Sequence, residues 1–123
     1  MKDEADNYLK AMKAKRGYLL PMHKLLAEYD LEYLKNYNNL FEGVMKEEGA
    51  ALSGKVKEFV YIGVCIALGS NPEVVAGHVK RAYSAGATTE EILSAIQLAT
   101  MSFLSKSLSL GTNALNDVLE TQE

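Results

Sequence analysis

Residues 52–69 read LSGKVKEFVYIGVCIALG, and this stretch decides the fold. Ser53 is a favoured N-cap residue, Gly69 is a favoured C-cap residue, and the side chains after Glu58 are almost all apolar. The stretch therefore predicts a helix over 54–68 that carries a carboxylate in its first turns. Burying that carboxylate is costly without a partner, so Glu58 is a candidate site residue. The alternative is a structural role, because the helix dipole also stabilises an acid near a helix N-terminus.

A single histidine, His78, lies in the next predicted helix. Asn71 and Pro72 have the residue types of an N-cap and a first helical position, and Gly86 is typical of the position just after a helix. The apolar side of this helix carries His78, which is also where a core histidine would lie. A contact with Glu58 would hold the imidazole in one tautomer and let it move a proton near neutral pH. Simple hairpin geometry does not place the two side chains opposite each other, so this contact requires side-chain length, a crossing angle or a neighbouring subunit.

The rest of the chain also follows the helical period, and no segment predicts a strand. Thr88 and Glu91 form a capping box that starts the longest remaining helix, and Gly111 is expected to divide it from a last helix over 112–119. Further helices are predicted over 3–15, 22–29 and 31–45. The sequence thus predicts an all-α fold of about six to seven helices.

Two predicted helical segments, 59–68 and 92–104, are apolar on nearly every side. A helix of that kind must be buried all round, and a chain of 123 residues has difficulty covering two of them. We therefore expect a symmetric homo-oligomer, with a tightly packed monomer as the alternative. The side chains of Tyr33, Tyr37 and Phe41 recur every four residues, which is more typical of a packing or subunit-contact face than of a ligand-stacking surface.

Composition and charge argue against several classes of function. The length predicts a single domain over 1–123, with 1–17 as an N-terminal helical extension. The formal net charge is −3 without a long run of one sign, so no nucleic-acid partner and no membrane surface is expected. No apolar run approaches the roughly 20 residues of a membrane span, and no signal peptide is recognisable, which favours a cytoplasmic protein. Cys65 is the one cysteine and no zinc-ligand spacing occurs, so we expect no disulfide, no metal and no cofactor.

Three parts of the sequence resemble one known family. LSGKVKEFVYIGVCIALG, then His78, then RAYSAGATTEEI at 81–92 are similar to the carboxymuconolactone decarboxylase family, which also contains the alkylhydroperoxidase D proteins. The resemblance extends over about 18–118. It implies an all-α fold of the alkylhydroperoxidase D type, built around a helical hairpin and assembled into trimers or hexamers. It also implies that Glu58 and His78 occupy the family's acidic and histidine positions.

The sequence departs from the peroxidase branch of that family. The branch carries Cys-x-x-Cys-x-x-x-His, and counting back from His78 places the two cysteine positions at Asn71 and Val74. A mechanism in which one thiolate attacks and a second resolves is therefore excluded within this chain. Cys65 matches neither position, and a cysteine between apolar neighbours is usually an inert core residue.

The resemblance implies a carboxy-lyase acting on a small carboxylated lactone. His78 would donate the proton or stabilise charge, and Glu58 would orient it. The substrate carboxylate needs a cation, for which Arg81 and Lys55 are the candidates, although either can simply be solvated. A peroxidase or antioxidant protein that uses Cys65 is the first alternative. A non-catalytic assembly or small-ligand-binding protein is the second.

Overall fold

The fold of the protein, in a computed structural model that describes residues 2–122, is built from helices. No strand occurs in the described part of the chain, so the all-α prediction is confirmed. The six helices there are α1 Lys2–Arg16, α2 Pro21–Tyr29, α3 Leu31–Met45, α4 Gly54–Leu68, α5 Pro72–Ser84 and α6 Thr89–Thr121. None of these helices is both long enough and apolar enough to cross a membrane.

The helix ends follow the capping signals in the sequence. The Ser53 hydroxyl accepts a hydrogen bond from the Val56 backbone N–H at 3.3 Å and starts α4. Gly69 ends α4 in the left-handed region, with φ of 66°, which costs glycine little. Thr88 and Glu91 cap each other reciprocally at the start of α6, as the sequence predicts.

The predicted division at Gly111 is wrong, because α6 runs without a break through this residue to Thr121. A single glycine inside a helix costs only about 1 kcal/mol relative to alanine, which is too little to end a helix that continues on both sides. Gly111 does not take the positive φ that would end a helix. The Thr112 hydroxyl instead donates to the Leu108 carbonyl at 2.8 Å, one turn back in the same helix.

The helices form two groups that meet at a central cluster of side chains. Helices α1, α2 and α3 pack on one another, and α4 packs on both α5 and α6. Between the groups lies a small core made of Tyr18, Cys65 and Val74. The candidate site residues lie beside this core, where residues from both groups contribute side chains.

Candidate active site

Glu58 and His78 are in direct contact inside the protein. The distance from Glu58 Oε2 to His78 Nδ1 is 2.6 Å, and the two residues are 4% and 0% exposed. Glu58 lies about 15 Å along α4 from the turn, and His78 about 9 Å along α5, at 1.5 Å per residue. The two Cα positions are therefore offset by about 6 Å along the hairpin. An extended glutamate and an imidazole ring are long enough to close this gap. Their contact therefore needs no second subunit.

Arg81 joins this pair from the next turn of α5. Its Nε donates to Glu58 Oε1 at 2.8 Å, and a terminal nitrogen donates to the Lys15 carbonyl at 3.2 Å. The guanidinium is thus engaged by the carboxylate of the site. Lys55, the other predicted anion-binding cation, pairs with Glu91 at 2.9 Å, away from this cluster. The structure brings Arg81 to the site and leaves Lys55 outside it.

The second nitrogen of His78 faces a tyrosine that the sequence analysis did not select. Tyr18 Oη lies 3.1 Å from His78 Nε2, and both groups are buried. A carboxylate paired with a guanidinium accepts hydrogen bonds. His78 therefore carries a proton on Nδ1 and donates it in a hydrogen bond to Glu58. In the neutral ring Nε2 is then an acceptor, and the Tyr18 hydroxyl donates to it. Burial raises the pKa of Tyr18 to about 12, so this hydroxyl stays protonated at neutral pH. Glu58, His78 and Tyr18 are called the relay below.

Gly77 permits the close approach of Tyr18 to α5. A Cβ atom at this position would lie 2.3 Å from Tyr18 Cδ1 and 2.9 Å from Cε1. Real Cβ atoms do not approach other atoms so closely. The absence of a side chain at Gly77 is thus a condition for the hydrogen bond between Tyr18 and His78.

Aromatic rings enclose the imidazole of His78. The Tyr61 ring stacks on it with a centroid distance of 3.8 Å, and Phe41 meets it edge-on at 6.0 Å. Tyr61 follows Glu58 by one helical turn, so it shares the inward face of α4. The aromatic stripe of α3 therefore contributes to the site through Phe41, whereas Tyr33 is largely exposed.

Cys65 lies in the core beside the relay and has the features of a structural thiol. It is 5% exposed and packs in the same small core as Tyr18 and Val74. Burial raises the pKa of its thiol, which disfavours the thiolate that redox chemistry needs. Within residues 2–122, no three histidine, cysteine or carboxylate side chains are grouped as a metal site would require.

Two further buried polar residues come from the N-terminal helices. The Arg16 guanidinium lies 3.8 Å from the Phe41 ring centroid and donates to Asn38 Oδ1 at 2.8 Å. His23 Nδ1 accepts from the Leu20 backbone N–H at 2.9 Å. No spacing in the sequence indicates either residue, because both sit at helix ends that look solvated. Tyr61 could have been selected from the sequence, because it lies one helical turn after Glu58.

One of the comparisons with known proteins finds a match. A sequence model of the carboxymuconolactone decarboxylase family matches residues 32–115, which is more than half of the chain. The chain belongs to the carboxymuconolactone decarboxylase family. The comparisons find no matching curated protein and no matching solved structure. Within this member of the carboxymuconolactone decarboxylase family, the matched region supplies Glu58 and His78, whereas Tyr18, Arg16 and His23 precede it.

The burial of His23 predicts a loss of stability in mild acid. Burial, and secondarily the charge of Arg16, lowers the pKa of His23 to about 4, against about 6.5 in an unfolded chain. The unfolded state binds the proton first, so stability is complete above pH 6.5 and falls as the pH drops towards 4. The loss is on the order of 3 kcal/mol for this residue. Urea unfolding at pH 7 and pH 4.5 measures it, and His23→Gln should show a visibly smaller pH dependence. Equal pH dependence in both proteins would contradict the assignment.

Proposed function

We propose that the protein is a carboxy-lyase that removes CO₂ from a small, unsaturated, carboxylated lactone. Family membership supports the reaction class, and one observation in the structure carries the mechanism. That observation is the buried relay, in which Glu58 binds His78 Nδ1 at 2.6 Å and His78 Nε2 meets the Tyr18 hydroxyl at 3.1 Å. A carboxylate, an imidazole and a phenol in series can hold a proton and deliver it at a defined atom.

The reaction balances without an oxidant or a cofactor. The bond between the substrate carboxylate and the ring breaks, CO₂ leaves, and the electron pair delocalises into the lactone as a dienolate. The dienolate carbon then takes a proton from the Tyr18 hydroxyl. This step starts from the protonated form of His78, in which Nε2–H donates to Tyr18 Oη and Glu58 stabilises the imidazolium charge. As the phenol releases its own proton, Nε2 passes its proton to Tyr18, and His78 returns to the neutral ring described above. Water returns a proton to His78 after product release.

Tyr18 is the proposed point of proton delivery because both nitrogens of His78 are occupied. His78 is fully buried, with Glu58 on one side and Tyr18 on the other. A proton on the imidazole therefore reaches a substrate through the phenol. The raised pKa of Tyr18 keeps the phenol neutral and able to donate at neutral pH. His78 is then the proton store, and Glu58 is the residue that fixes its tautomer.

The alternatives differ in what they require of Cys65 and of the relay. A thiol peroxidase requires a reactive Cys65, whereas this thiol is buried and its pKa is raised. A non-catalytic binding protein requires only that the relay residues stabilise the helix packing. The observations support proton transfer more than thiol chemistry, and turnover separates all three functions.

Isotope incorporation tests the proposed reaction directly. The protein is incubated in D₂O with a panel of γ-lactone carboxylates that carry a ring double bond, and released CO₂ is followed by infrared absorption. We expect catalysed CO₂ release from at least one compound and one deuterium on the product carbon. Peroxide is offered separately with a thiol reductant. No CO₂ release from any compound would reject the lyase, and peroxide reduction in its place would support the thiol alternative.

We also propose that copies of the chain associate through α4 and α6. An open groove of about 450 Å³ lies between these helices, and small and apolar residues line it. From residue 98 onwards, α6 also exposes large apolar side chains along its length, namely Leu98, Met101, Phe103, Leu104, Leu108, Leu110, Leu115, Val118 and Leu119. Monomeric proteins rarely expose so large an apolar surface, and a helix end without packing is only marginally stable. A second copy that carries the same apolar face is the simplest partner.

Solution mass measures this association. Light scattering after gel filtration should give a multiple of 13.5 kDa, with the trimer and hexamer as the assemblies that the family resemblance implies. Val64→Glu places a charge in the groove and should lower the mass. Leu40→Glu changes an apolar residue of α3 that is even more exposed, and it should leave the mass unchanged. A wild-type monomer, or equal effects of the two substitutions, would reject this interface.

A further inference from the structure

Two buried N–H donors near the relay have no acceptor among the described residues. They are Arg16 Nε and His23 Nε2, on side chains that are 1% and 0% exposed. The proton on His23 can be assigned, because Nδ1 accepts from the Leu20 backbone N–H and the neutral ring must carry its proton on Nε2. Leaving such a donor without an acceptor costs about 1–3 kcal/mol. An acceptor from outside the described chain, either a water molecule or a ligand, would remove this cost.

The two donors lie beside the same pair of aromatic rings. The Arg16 guanidinium carbon is 5.8 Å from the Tyr18 ring centroid and 5.4 Å from that of Tyr37. The His23 ring centroid is 6.5 Å from Tyr18 and 6.1 Å from Tyr37. Tyr18 is also the end of the relay, so these donors are close to the place where the relay delivers its proton.

The charge of Arg16 is not balanced by a carboxylate. None of the ion pairs within residues 2–122 includes Arg16, whose polar partner is the neutral amide of Asn38. Glu58, the carboxylate of the site, is already shared by His78 and Arg81. Two guanidinium groups and one carboxylate leave a net positive charge in a region of low dielectric. A buried charge without a counter-ion is costly, and an anion would relieve that cost.

We propose that Arg16 and His23 form a carboxylate-binding site, in which the oxygens of an anionic ligand accept from Arg16 Nε and His23 Nε2. A water molecule would satisfy one N–H but would leave the guanidinium charge unbalanced. A carboxylate provides several acceptor positions and the negative charge together. The site takes over the role that the sequence analysis assigned to Arg81 and Lys55. Only its connection to catalysis rests on the proposed function: there, it holds the carboxylated substrate against Tyr18.

Ligand binding without turnover tests this site. The probe is 2-furoate, a planar five-membered ring with a carboxylate, and 2-furamide is its neutral control of nearly the same shape. Calorimetry should show that 2-furoate binds the wild-type protein at least tenfold more tightly than 2-furamide. The histidine ¹⁵N–¹H spectrum should show a shift of the His23 Nε2–H signal on binding, which a purely structural histidine would not give.

Two substitutions at His23 separate the donor from the structural contact. His23→Asn keeps an acceptor near the Nδ1 position for the Leu20 N–H but removes the Nε2 donor. We expect it to weaken 2-furoate binding about tenfold, at the scale of one lost hydrogen bond to a charged group. His23→Gln places an amide near the Nε2 position and should retain most of the affinity. Arg16→Met removes the charge and should abolish the preference for 2-furoate over 2-furamide.

The possible outcomes separate this inference from the proposed lyase activity. Equal binding of 2-furoate and 2-furamide by the wild-type protein would overturn the site, even if CO₂ release is observed. Unchanged 2-furoate affinity in both His23→Asn and Arg16→Met would overturn it as well. If Arg16→Met fails to fold, the 2-furoate affinities of His23→Asn and His23→Gln still test the site. Selective 2-furoate binding without CO₂ release from any lactone would support the site and reject the lyase.

Discussion

Replacing His78 with glutamine is expected to lower the rate of CO₂ release by about 10²–10⁴-fold, the usual contribution of a positioned proton-transfer group. Glutamine is neutral and close in size, but it cannot take up and release a proton at neutral pH. Glu58 keeps its hydrogen bond from Arg81 at 2.8 Å, so the carboxylate is not left unpaired. The measurement is kcat and KM on the lactone that the wild-type protein turns over. Because the loss is confined to the proton-transfer step, kcat should fall while KM changes little.

Two companion substitutions show whether the rate loss comes from the relay. Tyr18→Phe keeps the ring that packs on α5 but removes the hydroxyl, and it should reduce kcat to a similar extent. Cys65→Ala leaves the relay intact and should retain most of the wild-type rate. Full activity of His78→Gln would reject the mechanism. Full activity of Tyr18→Phe beside an inactive His78→Gln would mean that His78 protonates the substrate directly. Loss of activity only in Cys65→Ala would favour the thiol alternative.

The hairpin that carries the site was predictable because local chemistry fixes its ends. Ser53, Gly69 and Asn71 act through hydrogen bonds to backbone atoms at most a few residues away, so their effect can be deduced from the sequence. The continuity of α6 through Gly111 was harder to predict. A helix-interior glycine and a helix-ending glycine differ in φ, which the residue type alone does not reveal.

Two of the three relay residues were predictable. Glu58 and His78 stood out as isolated polar residues on apolar helices, and the structure places them in contact. Tyr18 and Arg16 did not stand out, because they lie where a polar helix ends at a glycine, a place that is usually solvated. They are buried by contacts with Phe41 and α5, which are distant in the sequence. Contacts between residues so distant in the sequence produce no hydrophobic periodicity from which the burial of Tyr18 and Arg16 could be predicted.

Gly77→Ala is expected to displace Tyr18 and to break the relay without changing any of its residues. In an ordinary helix interior this substitution is stabilising by about 1 kcal/mol, because alanine is the better helix former. Here the new methyl group would lie 2.3 Å from Tyr18 Cδ1, on a ring that is packed and 6% exposed. Overpacking of this kind typically costs 1–3 kcal/mol, so the sign of the stability change should be reversed. Tyr18 must move away from α5, and its hydrogen bond to His78 should be lost.

Gly43→Ala is the matched control for this reversal. Gly43 also lies inside a helix, α3, but a Cβ atom there would meet no other atom within 4 Å. We expect Gly43→Ala to stabilise the protein by up to about 1 kcal/mol and to keep the wild-type activity. Urea unfolding of the two variants compares the stability changes, and kcat compares the activities.

A double-mutant cycle then assigns the effect of Gly77→Ala to the contact with Tyr18. Tyr18→Ala removes the ring that the new methyl group would strike, so in that background Gly77→Ala should become neutral or stabilising. The coupling energy between the two positions should be at least 1 kcal/mol, because the clash requires both side chains. Additive effects, or a Gly77→Ala protein with full stability and full kcat, would show that Tyr18 can leave α5 at no cost. Proton delivery through a fixed Tyr18–His78 bond would then be untenable, since a relay of this kind depends on the position of the phenol.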